Sequence, residues 1–149
     1  MSGKTRERPY ARVVQKLRDV GLRPTRQRLA LARLLFDGEN RHVTAEMLHE
    51  ETGAAQINVS LATVYNTLHQ LTDVGLLREV VVDSGGTYFD TNTAEHHHFF
   101  MEKEGCLKDI PDGAVRIGKL PETPPGKTFS RVEVIIHVAD EDAARESAE

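Results

Sequence analysis

Residues 60–90 read SLATVYNTLHQLTDVGLLREVVVDSGGTYFD, a helix-forming stretch that is followed at once by a strand-forming one. Ser60 is a favoured N-cap and Gly75 is favoured just beyond a helix, so we predict a helix over 61–74. One narrow stripe of this helix is apolar, and its members are Leu61, Val64, Leu68 and Leu71. That spacing predicts that the stripe packs against a core.

Further segments on both sides of this helix indicate the fold class. The β-rich run 76–82, the turn 83–86 and the run 87–90 predict a β-hairpin. Apolar spacing and N-cap residues predict earlier helices over 9–20, 25–36 and 45–52, the last ended by Gly53. Helices followed by a hairpin are typical of a winged helix-turn-helix domain. We therefore predict an α+β protein whose first half is such a domain.

The second half carries weaker signals. Segments 96–101 and 132–138 are predicted strands, the latter because β-branched residues dominate it. A short helix is predicted over 112–118. The last residues, 140–149, are acidic and polar, and we expect a flexible tail there.

Composition and charge limit the classes of protein that this chain can represent. No apolar run approaches the roughly 18 residues of a membrane span, and the N-terminus lacks the apolar core of a signal peptide, so we expect a cytoplasmic protein without a membrane partner. Residues 1–41 carry eleven Lys and Arg against four Asp and Glu, whereas residues 84–149 carry seven against thirteen. This asymmetry indicates either a polyanion partner for the first half or a solvated basic helix.

The polar face of the 61–74 helix suits the reading of DNA bases. It carries Thr63, Tyr65, Asn66, His69 and Gln70. Asn and Gln pair bidentately with adenine, and Tyr or Thr contacts thymine methyl groups. Phosphate contacts would come from separate cations, for which the candidates are Arg23, Arg26 and Arg28. The alternative is an amphipathic helix whose polar face meets only solvent.

Seven histidines are present, and three of them are consecutive: His96, His97 and His98. On a strand, the first and third would share one face about 6.6 Å apart, where they could bind zinc, manganese or iron, or an axial position of haem. The single cysteine, Cys106, excludes an internal disulfide and any zinc site that needs several cysteines of one chain. No common enzyme signature occurs, so catalysis is not expected, although a metalloenzyme or a metal carrier stays an alternative.

Four stretches resemble the ferric uptake regulator family. They are GLRPTRQRLALARLLF (21–36), HVTAEMLHEE (42–51), SLATVYNTLHQLTDVGLLREV (60–80) and HHHFF (96–100). The histidine triplet and the LRPTRQR segment are most similar to the iron response regulator branch of rhizobia and related α-proteobacteria.

The resemblance implies a homodimer that binds AT-rich inverted repeats. It implies a winged-helix DNA-binding domain (1–90), a hinge (91–95), a small α/β dimerisation and ligand-sensing domain (96–139) and the flexible acidic tail (140–149). Arg23 matches a minor-groove cation and Tyr65 a thymine contact, whereas Asn66 stands where many relatives carry Arg. The candidate DNA-contacting residues are Arg23, Arg26, Ser60, Thr63, Tyr65 and Asn66.

The resemblance also implies a ligand site at the hinge. The matching metal ligands are His42, Asp90, His96, His98 and Asp109. A second family site matches poorly, because Glu95 and His97 are present but residue 116 is Arg and His137 lies only near the expected place.

Two modes of regulation follow from the same resemblance. In the first, the protein regulates iron and haem genes and is active when iron is low. Haem bound at His96, His97 and His98 releases it from DNA. A haem-synthesis enzyme would be the haem donor. In the second, Mn²⁺, Fe²⁺ or Zn²⁺ at the hinge activates a repressor.

Overall fold

A computed structural model describes residues 10–83 and 86–142 of the chain. Contacts divide the described residues into two compact units, one of residues 10–81 with 86–93 and one of residues 82–83 with 94–142. Both helices and small sheets are present, so the α+β prediction is confirmed. Among the described residues, no helix is long and apolar enough to cross a bilayer.

The described part of the first unit contains four helices. They are α1 (Ala11–Asp19), α2 (Arg26–Phe36), α3 (Ala45–Ala54) and α4 (Leu61–Asp73). Three of them begin at a hydroxyl cap, because the side chains of Thr25, Thr44 and Ser60 each accept a backbone N–H three residues further on. These local signals explain why the sequence predicts the helix starts well.

Helix α3 runs one residue past Gly53, where the sequence predicts its end. The left-handed backbone position that closes this region is taken by Gln56, with φ 58°, and not by the glycine. Gly53 therefore lies within the last turn of the helix, which tolerates it at a small entropic cost.

A three-stranded sheet completes the first unit. Its strands are β1 (His42–Val43), β2 (Arg78–Val82) and β3 (Gly86–Asp90), in the order β1-β3-β2. The β2–β3 part corresponds to the predicted hairpin, of whose turn Ser84 and Gly85 lie outside the described residues. The antiparallel register places His42 opposite Asp90.

The core of this unit is formed by the apolar faces of the helices and of β3. Leu17, Leu31, Leu48, Leu68 and Phe89 are all fully buried within it. The stripe predicted for α4 is buried at Val64, Leu68 and Leu71, whereas Leu61, in its first turn, is exposed. Burial of this stripe fixes which face of α4 is presented outward.

The second unit is built on a smaller sheet. Its strands are β4 (His98–Met101), β5 (Cys106–Asp109) and β6 (Ile135–Val138), with β4 antiparallel to β5 and parallel to β6. The predicted strand 96–101 begins only at His98, and the predicted strand 132–138 begins only at Ile135.

The helix predicted over 112–118 is wrong. Gly113 adopts φ 79°, which breaks a helix in its first turn, and Gly118 ends a segment too short to form an isolated helix. Of the predicted tail, 140–149, the structure describes only residues 140–142.

Candidate metal centre and nucleic-acid interface

His42 and Asp90 form an acid–imidazole pair in the first unit. The Nε2 atom of His42 lies 3.0 Å from Oδ2 of Asp90, whose side chain is fully buried. The pair arises because β1 and β3 place the two residues directly opposite each other. The other carboxylate oxygen of Asp90 accepts the backbone N–H of Asn92 at 2.8 Å. This bond fixes the carboxylate and leaves Oδ2 directed at the imidazole.

Three further predicted ligands converge in the second unit. Oδ1 of Asp109 lies 3.0 Å from Nε2 of His96 and 3.5 Å from Nε2 of His98. One ligand atom of each of these three residues lies within 4.8 Å of the other two. The β4–β5 register, which pairs His98 with Asp109, brings the carboxylate to the histidines.

The geometry of the two histidines differs from the sequence expectation. His96 precedes β4, so the two do not share a strand face, yet their ring centroids are only 4.4 Å apart. His98 is fully buried and His96 nearly so. The segment before the strand therefore brings the two rings together although the residues do not share a strand face.

The tautomer of His96 is set by a backbone carbonyl. Its Nδ1 lies 2.6 Å from the carbonyl oxygen of Ala94, and because a carbonyl only accepts, Nδ1 must carry the proton. With Nδ1 engaged by this carbonyl, Nε2 is the ring nitrogen left to face Asp109 or a metal ion. Histidines that bind metals in proteins are oriented by this kind of bond.

His97 is arranged in the opposite sense. Its Nδ1 accepts the backbone N–H of Val134 at 3.1 Å, so the proton of the neutral ring is on Nε2. With Glu95, the ring lines a cavity of the second unit that is open to solvent. The other residue considered for a second metal site, His137, instead lies 3.9 Å from Oε1 of Glu102.

The donor set fits a small divalent cation. Imidazole and carboxylate ligands suit Mn²⁺, Fe²⁺ and Zn²⁺, and His96 and His98 direct their Nε2 atoms at one carboxylate oxygen. An axial haem ligand needs a nitrogen lone pair at an open face. His98 is fully buried, and His97 would have to give up the hydrogen bond from Val134. As they stand, the three histidines do not fit haem.

The outward face of α4 carries the predicted base-reading residues. Tyr65 and Asn66 are exposed. The Tyr65 ring stacks on His69 with centroids 5.7 Å apart, and His69 in turn contacts the edge of the Phe89 ring. Ser60 and Thr63 are engaged with each other at the helix start, since the Ser60 hydroxyl donates to Thr63 Oγ1 and accepts the Thr63 N–H.

Arginine side chains at the start of α2 have different roles. Arg23 and Arg26 are exposed and available to phosphates. Arg28 instead donates through Nε to Gln70 of α4 and through Nη1 to the carbonyl of Arg23. Arg28 therefore connects the Arg23 segment to α4. The sequence predicted Arg28 as a phosphate contact and gave no sign of this second role.

Two charged residues that the sequence did not indicate lie near the candidate ligands. Arg41 donates two hydrogen bonds to Glu51, at 2.7 and 2.6 Å, and a third to the carbonyl of Leu34. The bond to Glu51 raises the pKa of Arg41 above its usual value. Glu133 places Oε1 4.0 Å from Nδ1 of the buried His98. Neither residue lies in a recognisable motif, so no sequence signal indicated them.

Comparison with known proteins gives a consistent result along most of the chain. The family model described as the ferric uptake regulator family matches residues 19–120. The peroxide-responsive repressor of Staphylococcus epidermidis is 34% identical over 97 residues, which cover 65% of this chain and 64% of that protein. Its counterpart in Staphylococcus aureus is 33% identical over 97 residues, with 65% of each chain covered. The matched region thus spans slightly less than two thirds of these relatives.

Solved structures match over a greater length. The ferric uptake regulator of Pseudomonas aeruginosa, solved with manganese, is similar at a TM-score of 0.64 and 25% identity, covering 85% of this chain and 96% of that one. The ferric uptake regulator of Vibrio cholerae is similar at a TM-score of 0.66 and 21% identity, covering 85% and 98%. The second likeness shows the fold alone.

Proposed function

This chain belongs to the ferric uptake regulator family, and on that premise we propose that it is a metal-responsive, DNA-binding transcriptional regulator that acts as a cytoplasmic homodimer. The family consists of transcriptional regulators and not of enzymes, in agreement with the absence of catalysis expected from the sequence. The observation that carries the proposal is the convergence of His96 and His98 on Asp109.

The proposed ion is a divalent metal held by five residues, as the family resemblance implies. The candidate ligands are His42, Asp90, His96, His98 and Asp109. Neither the first-unit pair nor the second-unit trio alone would fill the positions of a five- or six-coordinate ion. The Pseudomonas aeruginosa regulator, solved with manganese, makes Mn²⁺ the first ion to test.

The proposed regulation follows from ligands on two sides of a hinge. A bound ion changes DNA affinity only if it favours one arrangement of the DNA-binding domain (1–90) relative to the sensing domain (96–139). Residues 91–95 would be the hinge, and metal binding would stabilise the arrangement that matches the half-site spacing of an inverted repeat.

The proposed DNA reader is a winged helix-turn-helix in which α4 enters the major groove. Support comes from exposed Tyr65 and Asn66 on α4, from exposed Arg23 and Arg26, and from the β2–β3 hairpin that would serve as the wing. Ser60 and Thr63 would contribute by fixing the start of the helix. We expect an AT-rich inverted repeat as the operator.

Exposed apolar residues in the second unit support the homodimer. Ile117, Leu120, Phe129 and Val132 each keep more than a third of their surface exposed. Clustered exposure of large apolar side chains is typical of a protein interface. A second copy of this chain is therefore the proposed partner of this surface.

The proposal is tested by fluorescence anisotropy on an AT-rich palindromic duplex at fixed salt, because phosphate contacts make affinity salt-dependent. We expect the metal-free protein to bind weakly and Mn²⁺ to tighten binding at least fivefold, the lower end of typical coupling between sites. Affinity that is unchanged by Mn²⁺, Fe²⁺ and Zn²⁺ would contradict metal activation.

Haem control of iron and haem genes, which the resemblance to the iron response regulator branch implies, is the second candidate. One observation favours it, namely the cavity lined by His96 and His97. It requires His97 to lose its hydrogen bond from Val134. In the same assay, tight binding without ligand that haemin abolishes would favour this candidate and make a haem-synthesis enzyme a plausible donor. Hydrogen peroxide forms a third arm, since the staphylococcal relatives are named for it.

Substitutions in the proposed DNA reader are expected to separate base reading from phosphate binding. Tyr65→Ala should weaken operator binding at least fivefold and binding to random duplex much less, because it removes a base contact. Tyr65→Phe, which keeps the ring, is the matched control. Arg23→Ala should weaken both complexes and lower the salt slope by about one. If Tyr65→Ala, with unchanged circular dichroism, bound the operator normally, the reading role of α4 would be wrong.

A further inference from the structure

We propose that Glu133 is a positioning residue of the metal site, whose carboxylate accepts the Nδ1 proton of His98 and thereby turns the Nε2 lone pair towards the ion. This inference rests on the proposed metal-dependent function. It adds to the site a residue outside the five ligands that the family resemblance implies.

The buried imidazole of His98 lies between two carboxylates. Its Nε2 is 3.5 Å from Oδ1 of Asp109, and its Nδ1 is 4.0 Å from Oε1 of Glu133. The side chain of His98 is fully buried and that of Glu133 is 18% exposed. An ionised carboxylate only accepts hydrogen bonds, so Asp109 attracts a ring proton at Nε2 and Glu133 attracts one at Nδ1. An ion bound at Nε2 excludes the proton from that nitrogen, and Glu133 would then accept the proton that stays on Nδ1.

The backbone holds Glu133 next to this ring. The N–H of His98 donates to the carbonyl of Val134 at 3.1 Å, and the N–H of Val134 donates to Nδ1 of His97 at the same distance. The parallel register then pairs His98 with Ile135. With these neighbours fixed, a shift of about 1 Å in the Glu133 side chain closes the gap to a hydrogen bond.

The chemistry of this arrangement is that of an oriented metal ligand. A histidine bound to metal usually donates its other ring N–H to a carboxylate or a carbonyl, which fixes the ring and raises its basicity. His96 has such a partner in the Ala94 carbonyl. Glu133 would give His98 the equivalent partner, so that both imidazoles present Nε2 before the ion arrives.

A structural role for Glu133 is the alternative. Its second oxygen, Oε2, lies 3.8 Å from Nη2 of Arg131, and an exposed ion pair of this kind contributes little to stability. If Glu133 served only to pair with Arg131, removing either partner would have the same small effect on metal binding. Arg131→Gln is therefore the matched control.

The test measures metal binding by the full-length protein directly. Free Mn²⁺ is followed by electron paramagnetic resonance, and Co²⁺ is used as a probe whose visible absorption reports ligand geometry. We expect Glu133→Ala to weaken Mn²⁺ binding 10- to 100-fold and to change the Co²⁺ spectrum. Glu133→Gln, which keeps an acceptor oxygen, should lose less, and Arg131→Gln should bind within about threefold of wild type.

A second readout addresses the tautomer itself. Long-range proton–nitrogen NMR of the metal-free protein should show a larger fraction of His98 with a proton on Nδ1 in the wild type than in Glu133→Ala. Unchanged Mn²⁺ affinity and Co²⁺ spectrum in Glu133→Ala would overturn the inference, and so would an equal loss in Arg131→Gln. Wild-type protein that binds neither ion would overturn the proposed function itself, and the inference with it.

Discussion

Replacing Asp109 by alanine is expected to lower the affinity of the full-length protein for Mn²⁺ by about 100-fold or more, beyond the 10- to 100-fold typical for a residue that only supports a ligand. One carboxylate oxygen of Asp109 faces Nε2 of both His96 and His98. Without it, the two imidazoles would lose the carboxylate that lies between them, and Asp90 would be the one carboxylate left among the proposed ligands. The measurement is Mn²⁺ binding by electron paramagnetic resonance, followed by operator binding with and without Mn²⁺.

The fold should survive this change, because the side chain of Asp109 is 41% exposed. Asp112→Ala is the matched control, since it removes an exposed carboxylate three residues away. We expect it to bind Mn²⁺ as wild type does. An equal loss of Mn²⁺ affinity in both variants would mean that the ion binds to the acidic surface in general and not to the proposed site.

Replacing Phe89 by alanine is expected to lower the free energy of unfolding of the first unit by about 3–5 kcal/mol. Phe89 is among the largest fully buried side chains and packs in the core of this unit. Its ring also meets His69, which stacks on Tyr65, so operator affinity should fall even where the protein remains folded. Urea unfolding followed by circular dichroism measures the first effect.

Val81→Ala provides the control for this prediction. Val81 lies on the neighbouring strand β2 but is 58% exposed, so its truncation should change stability by no more than about 0.5 kcal/mol. A similar loss in the two variants would show that the sheet, and not the core contact of Phe89, limits the stability of this unit.

The helices of the first unit were predictable because their signals are local. Thr25, Thr44 and Ser60 cap helices in the structure as their positions in the sequence predict. The apolar stripe of α4 is likewise readable from spacing, and it is buried from Val64 onward. Family membership was predictable for a different reason, namely the four stretches that resemble the family, of which 60–80 is the longest.

The features that the sequence did not predict arise where tertiary contacts decide the structure. Strand β1 has two residues and no periodicity to detect, yet it brings His42 opposite Asp90. The opposite tautomers of His96 and His97 depend on the carbonyl of Ala94 and the N–H of Val134. Glu133 is 35 residues from His98 and reaches it only through the pairing of β4 with β6. Sequence alone indicated which side chains could bind a metal but not how each is oriented.

The position of His42 and Asp90 at the end of a sheet has a kinetic consequence. Ladder ends open most readily, and beyond this pair the backbone is held by the Thr91 N–H, which donates to the carbonyl of Arg41. An ion that engages both side chains would have to leave before this end could fray, so bound metal would hold the end of the sheet closed. Amide hydrogen exchange at Thr91 would then be slower in the metal-bound protein than in the metal-free protein.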